Sequence, residues 1–138
     1  MTSVCEWLNR IKRLDSLIDK KIEQRARLMD VATGVTSQWD GMPHGFGVTP
    51  KKVEDAVARM AALDDEINAL IDVFVDHKRA VMRVLNQLPE KEKRVMYSRY
   101  FDYKSWVQIG VEMHYTPQHV WRINCKAIRK IQDIGKFS

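Results

Sequence analysis

The side chains that could carry out catalysis are few and poorly arranged for it. Asp64, Asp65 and Glu66 are consecutive, so on a helix they point to different faces and cannot converge on one metal ion. His114 and His119 are five residues apart, with no cysteine or second carboxylate at ligand spacing. The sequence has neither a glycine-rich phosphate loop nor a nucleophile motif. We therefore expect a protein that is not an enzyme and that needs no metal or other cofactor.

Basic side chains are concentrated towards the C terminus. The 138-residue chain has 23 Lys and Arg against 18 Asp and Glu, a formal net charge of +5. Residues 1–88 hold 13 basic and 13 acidic side chains, whereas residues 89–138 hold 10 basic and 5 acidic ones. A basic segment of this kind indicates a polyanion as partner, although a solvated surface would give the same count.

Composition indicates which elements must position these side chains. Apolar residues make up 45% of the chain, and six glycines and four prolines are few for its length, which favours helices over a turn-rich β fold. No uncharged stretch is long enough to cross a membrane, and charged residues interrupt the start from Met1 to Leu14. Cys5 and Cys125 do not form a disulfide framework. We therefore expect a cytoplasmic all-α protein with two reduced thiols and no membrane partner.

The first 88 residues predict two long helices. Apolar residues return at helical spacing from Val4 to about Ala32. Residues 33–50, rich in Gly and Pro, are expected to form a flexible connector, the alternative being a loop folded back through its aromatic side chains. Thr49-Pro50 is typical of a helix start, with Thr as N-cap and Pro in the first helical position. The next helix should bury a heptad seam. The seam residues are Val53, Ala56, Met60, Leu63, Ile67, Leu70, Phe74, His77, Val81, Val84 and Leu88.

A single helix cannot bury such a seam alone. The first helix supplies a partner stripe, so residues 1–88 are predicted to form a long antiparallel coiled-coil hairpin that makes the protein a homodimer. Whether the hairpin closes within one chain or swaps between two stays open. His77 lies in the seam, where a polar side chain is expected to set the register rather than to bind a metal.

Residues 89–138 predict a separate domain of three shorter helices. Pro89 should end or kink the long helix, and helices are expected over 90–101, 105–113 and from Thr116-Pro117 to about 134. The last two have the spacing of a helix-turn-helix. Gly110 would let the second helix cross closely, and His114 would occupy the sharp turn in a left-handed conformation.

Several short motifs lie in and just before this segment: Leu88-Pro89-Glu90, Arg99-Tyr100-Phe101, Ile109-Gly110, Tyr115-Thr116, Val120-Trp121-Arg122-Ile123 and Lys126-Ala127-Ile128-Arg129-Lys130-Ile131. With these motifs the segment resembles region 4 of bacterial sigma factors, the module that reads the −35 promoter element. The whole chain is similar to a family of small phage-encoded late transcriptional activators, because a long charged hairpin precedes that module.

The resemblance implies a set of DNA-binding residues. Those facing the major groove would be Thr116, Gln118, His119 and Arg122, whereas Lys104, Ser105, Lys126 and Arg129 would lie towards phosphates, as would Lys130. Glutamine pairs bidentately with adenine and arginine with guanine, which fits independently. Pro117 and Trp121 depart from the sigma pattern. Three roles stay open for Trp121: stacking on a sugar, contact with a thymine methyl group, or packing within the protein.

These expectations give a leading function and two alternatives. The leading hypothesis is a sequence-specific regulator of phage or prophage transcription, an activator, that reads double-stranded DNA with helix 117–134. The first alternative is a small DNA-recognition subunit of phage packaging machinery. The second is a protein that mimics sigma region 4 to bind RNA polymerase, without binding DNA.

Overall fold

Five α-helices make up the described part of the protein. A computed structural model describes residues 3–34 and 50–135, and no strand occurs among them. The all-α prediction is therefore confirmed. Most of the predicted 33–50 connector, including the Thr49 cap, lies outside the described residues. The helices are α1 Val4–Thr33, α2 Pro50–Leu85, α3 Glu90–Tyr100, α4 Trp106–Met113 and α5 Pro117–Ile134.

The chain divides into two compact units. The first unit comprises Met1–Asp15 and Phe74–Ser138, and the second comprises Ser16–Val73. Each of the two long helices therefore contributes one segment to each unit. The predicted domain boundary between residues 88 and 89 stays a prediction, but the first unit has segments from both sides of it.

The core of the first unit consists of two apolar clusters. The start of α1 and the end of α2 share one buried cluster with α3 and α5, and a smaller cluster joins α3, α4 and α5. Burial of apolar side chains is the main force that stabilises such a unit. The larger cluster contains Val4, Trp7, Leu8, Ile11, Val81, Val84, Leu85, Leu88, Met96, Tyr100, Ala127 and Ile131. The smaller contains Val95, Ile109, Val120 and Ile123.

The second unit consists of one segment from each long helix. Lys21 forms an ion pair of 2.8 Å with Glu66, and Arg25 pairs with Asp64. The residue that lies later in α1 therefore pairs with the residue that lies earlier in α2. Every residue of the predicted α2 seam that falls here is buried or half-buried.

Local signals set the helix ends. α2 ends at Leu85, three residues before the predicted end, and the N–H groups of Gln87 and Leu88 donate to carbonyls three residues back at 3.0 Å. This tightened turn leads into Pro89, which has no N–H to continue the helix. Ser105 caps α4 in a capping box with Gln108, whose backbone N–H donates to the Ser105 hydroxyl at 3.1 Å.

A buried histidine lies in the first unit. His77 forms a 2.7 Å hydrogen bond through Nε2 with the carbonyl oxygen of Trp7, and its ring stands edge-on to the Trp7 indole. Burial lowers the pKa of His77, and the charge of Arg10 lowers it further, against the opposing effect of the Trp7 hydrogen bond. His77 therefore remains neutral in the folded protein at pH values where an exposed histidine begins to take up a proton.

Candidate nucleic-acid interface

The turn between α4 and α5 brings the two helices close together. His114 has φ 62° and ψ 41°, the left-handed conformation expected for this position, and its N–H donates to the carbonyl of Gly110. A Cβ atom on Gly110 would lie 2.6 Å from the carbonyl oxygen of Tyr115. Only glycine therefore lets the chain return this closely over α4 and begin α5 at Pro117.

Helix α5 begins at the predicted residues, where Thr116 is the N-cap and Pro117 the first helical residue. The Thr116 hydroxyl accepts a 3.1 Å hydrogen bond from the backbone N–H of His119, and Pro117 takes the first helical position. The same hydroxyl can still donate its own proton to a ligand. α5 ends at Gly135, which has φ 67° and donates its N–H to the carbonyl of Ile131 at 3.1 Å.

Helix α5 has one buried and one exposed face. Val120, Ile123, Asn124, Ala127 and Ile131 are buried against the other helices of the first unit. The opposite face carries polar and charged side chains that the solvent reaches. Its exposed members among the predicted site residues are Gln118, Arg122, Lys126 and Arg129.

A polar contact fixes the buried face of α5 to α3. The Tyr100 hydroxyl donates a 3.0 Å hydrogen bond to Oδ1 of Asn124, and both side chains are buried. Burial raises the pKa of Tyr100 to about 12, so the phenol keeps the proton that it donates. This bond holds α5 at a fixed rotation about its own axis, because Asn124 can reach Tyr100 only when the opposite face points outward.

A basic groove runs between α5 and the start of α3. It has a volume of about 410 Å³, and Glu92 is the one acidic side chain among the described residues that line it. The buried Glu92 pairs with Lys130 at 2.8 Å, so the charges of Lys91, Arg122 and Lys126 remain in excess. The lining residues are Pro89, Lys91, Glu92, His119, Arg122, Ile123, Lys126 and Lys130.

An aromatic pair shapes one wall of this groove. The half-buried His119 ring stands edge-on to Tyr115, with ring centres 4.7 Å apart, and the Lys91 ammonium group lies 4.6 Å from the centre of the Tyr115 ring. Sequence reasoning did not single out Lys91 as a site residue. The sole signal in the sequence was the position of Lys91 at the start of the basic helix α3. About thirty residues separate Lys91 from the groove-lining part of α5, so spacing could not connect the two.

Two predicted site residues lie elsewhere in the first unit. The Lys104 ammonium group pairs with Glu112 at 3.0 Å, beside α3 and α4, and Lys104 does not line the α5 groove. Ser105 is exposed, and its hydroxyl is the N-cap of α4. The structure therefore brings His119, Arg122 and Lys126 together in the groove, with Gln118 one turn before Arg122 on the exposed face of α5. It leaves Lys104 with an acidic neighbour.

Trp121 forms the other margin of the exposed α5 face. Its side chain is 51% exposed, and its ring meets Trp106 edge-on with centres 5.5 Å apart and planes at 78°. The guanidinium group of Arg99 lies 4.2 Å from the centre of the Trp106 ring and donates to the Lys104 carbonyl at 3.0 Å. The exposed indole is thus held by a chain of ring and cation contacts.

The described residues offer neither a metal site nor a membrane-spanning helix. Within residues 3–34 and 50–135, no group of three or more His, Cys, Asp or Glu side chains is close enough to hold a metal ion. Among the same residues, no helix has both the length and the apolar character that crossing a bilayer requires.

These features define the class of protein: a small all-α chain whose last helix presents a polar and basic face. It belongs to the family described as "Protein of unknown function (DUF722)", whose profile matches residues 13–133. The chain is also similar to an RNA polymerase sigma-F factor of Kitasatospora aureofaciens, with 29% identity over 63 residues. That alignment covers 46% of this chain and 21% of the sigma factor, so the chain spans about a fifth of that relative. No solved structure matches.

Proposed function

We propose that the protein is a non-enzymatic, sequence-specific transcriptional regulator that binds double-stranded DNA with α5 in the major groove. The observation that carries this proposal is the exposed start of α5. Gln118 and Arg122 lie one turn apart on the exposed face, and both side chains can form bidentate hydrogen bonds with base edges. The similarity to part of a sigma factor supports a role in transcription.

The arrangement of α4 and α5 supports a helix-turn-helix. In that motif the second helix enters the major groove with its N-terminal residues towards the bases, while the first helix crosses the backbone. The left-handed His114 and the close approach at Gly110 give the short connection that such a pair needs. With α3 packed on α5, the three helices are proposed to act as a sigma region 4-like domain.

The basic groove supplies contacts with phosphates. Lys91 and Lys126 flank the exposed face, and Arg129 lies two turns beyond Arg122. Phosphate contacts position a protein on DNA without reading sequence, and they make affinity fall steeply with added salt. Thr116 and Ser105, which cap their helices, can donate hydroxyl protons to further phosphates.

The long helices are proposed to make the protein a dimer. The ion pairs between α1 and α2 fit an antiparallel coiled coil, and Ile22, Met29 and Val57 remain substantially exposed in the second unit. Covering these side chains with a second copy would bury apolar surface. A two-fold dimer would then present two α5 helices to half-sites about 34–36 Å apart or a multiple of that distance.

The direction of regulation follows from the family resemblance. The hairpin that precedes a sigma-like module resembles phage late transcriptional activators, so we propose activation of phage or prophage genes in the bacterial cytoplasm. The similarity to a sigma factor also favours a second function, binding to RNA polymerase. Co-sedimentation with polymerase, without any DNA binding at low salt, would select that second function.

The test is selection of DNA sites from a random pool, followed by gel-shift titration of Gln118→Ala and Arg122→Ala. Each substitution should weaken binding to the selected site about 10- to 100-fold, since a bidentate base contact contributes about 1–3 kcal/mol of discrimination. Gln132→Ala, exposed near the end of α5, and Arg94→Ala, exposed on α3, are matched controls and should change affinity little. Unchanged affinity in both Gln118→Ala and Arg122→Ala would contradict the proposal.

A further inference from the structure

We propose that Trp121 reads the 5-methyl group of a thymine in the major groove. This inference rests on the proposed function and adds a specificity-determining residue to it. Glutamine and arginine recognise hydrogen-bonding groups on base edges, whereas the thymine methyl is the apolar feature that the major groove displays. An exposed indole beside Gln118 is the chemical complement of that methyl group.

Trp121 adjoins one of the predicted base-reading residues on α5. Residues three apart on a helix are neighbours, so Trp121 lies next to Gln118 on the exposed surface. Arg122, the next residue along the chain, lies about 100° further round the helix. If Gln118 reaches a base edge, the neighbouring indole lies within reach of an adjacent base pair.

Trp121 is more exposed than a tryptophan that fills a core. Its partner Trp106 is partly buried and packs against the smaller apolar cluster, whereas Trp121 leaves half of its surface to solvent. A tryptophan whose purpose was to fill the core would be buried on the inner side of α5, where Val120 and Asn124 lie. The free half of the indole is available surface for an apolar partner.

The contacts of Trp121 with neighbouring side chains order its indole ring. Trp106 holds the indole edge-on, and Arg99 lies over Trp106 while its guanidinium group is fixed by the Lys104 carbonyl. The side chain is therefore already ordered before any ligand arrives. Binding to a preordered side chain costs less conformational entropy, so a small apolar contact can contribute to affinity and specificity.

The experiment removes the methyl group without changing any hydrogen bond. Each thymine of the selected site is replaced in turn by deoxyuridine, and affinities are measured for the full-length wild type and for Trp121→Ala. One replacement should weaken wild-type binding about threefold to tenfold, as expected for one buried methyl group. The same replacement should leave Trp121→Ala unaffected, because the partner of the methyl group is gone.

Two controls keep the result interpretable. Val111→Ala, at another exposed apolar position in the same unit, should respond to deoxyuridine as the wild type does. Trp121→Phe keeps an aromatic ring on α5 and should retain part of the response if Trp121→Ala proves poorly folded by circular dichroism.

The outcomes separate this inference from the proposed function. Sequence-specific binding in which no deoxyuridine replacement matters, or in which one weakens wild type and Trp121→Ala equally, overturns the role of Trp121 and leaves the regulator intact. That result would favour the sugar-stacking or packing role. Failure to select any DNA site overturns both.

Discussion

The two units use the same kind of amphipathic helix with different results. In the first unit, the stripe of α1 is covered by α2, α3 and α5, and Leu8 and Ile11 are fully buried. In the second unit, Ile22 and Met29 of the same helix are 48% and 39% exposed. A hydrophobic stripe therefore gives a closed core only where a third element covers it, because two helices bury one face of each other and no more.

The difference also separates two proposed tasks. A site that reads DNA must hold its side chains in fixed positions, and the first unit does so through its core and the Tyr100–Asn124 bond. The second unit offers apolar and ion-paired surface that suits association with another copy. Predictions that act on one unit and spare the other test this division of roles.

The largest effect should come from truncating the core of the first unit. Ile11→Ala should lower the free energy of unfolding by about 2–5 kcal/mol, because it removes buried methyl groups and leaves a cavity. Ile22→Ala, the matched change on the exposed surface of the same helix, should cost less than about 1 kcal/mol in dilute protein. Urea unfolding of both variants measures the contrast, and equal losses would break the comparison.

The next effect should come from the α4–α5 turn. Gly110→Ala should cost about 1–3 kcal/mol, because the added Cβ meets a backbone oxygen that cannot move without shifting α5. DNA affinity, measured by gel shift, should fall clearly in this variant, whereas helix content, measured by circular dichroism, should change less. Val107→Ala, an exposed change on the same helix, should alter neither. Full DNA affinity in Gly110→Ala would show that the close approach is not needed.

An effect of similar size on stability should come from the buried hydrogen bond between α3 and α5. Tyr100→Phe leaves Oδ1 of Asn124 without its donor in a buried site, at a cost of about 1–3 kcal/mol. Tyr97→Phe, on the exposed side of α3, should be close to neutral. Thermal unfolding of the two variants compares them directly, and a neutral Tyr100→Phe would mean that the bond contributes nothing net.

The smallest effect should be a pH dependence confined to the first unit. Because the pKa of His77 is lowered from 6.5 in the folded protein, the unfolded chain binds the proton first as pH falls. The contribution of His77 to the free energy of unfolding should therefore be fully present above pH 6.5. It should decrease below pH 6.5 until the lowered pKa of the folded state is reached. Unfolding of wild type and His77→Gln, compared between pH 7.5 and about 5, isolates this histidine, and parallel curves would contradict its role.

Local chemistry made much of the fold predictable. Ser105 and Thr116-Pro117 marked the starts of α4 and α5, His114 marked the turn, and the heptad seam marked α2. The structure agrees at these positions because caps and periodicities depend on residues a few positions apart. Residues 86–88 were mispredicted as helix, since the effect of Pro89 reaches back further than the residue before it.

The sequence by itself determined the helices and the polar side of α5, whereas the tertiary structure decided which other side chains join that surface. Lys91 lies at the α5 groove, Lys104 is drawn to Glu112, and Trp121 is held by Trp106. The groove-facing roles of the predicted residues stay predictions. The rest could not be read from spacing, because contacts between helices depend on how apolar faces pack, and periodicity fixes only which face is apolar.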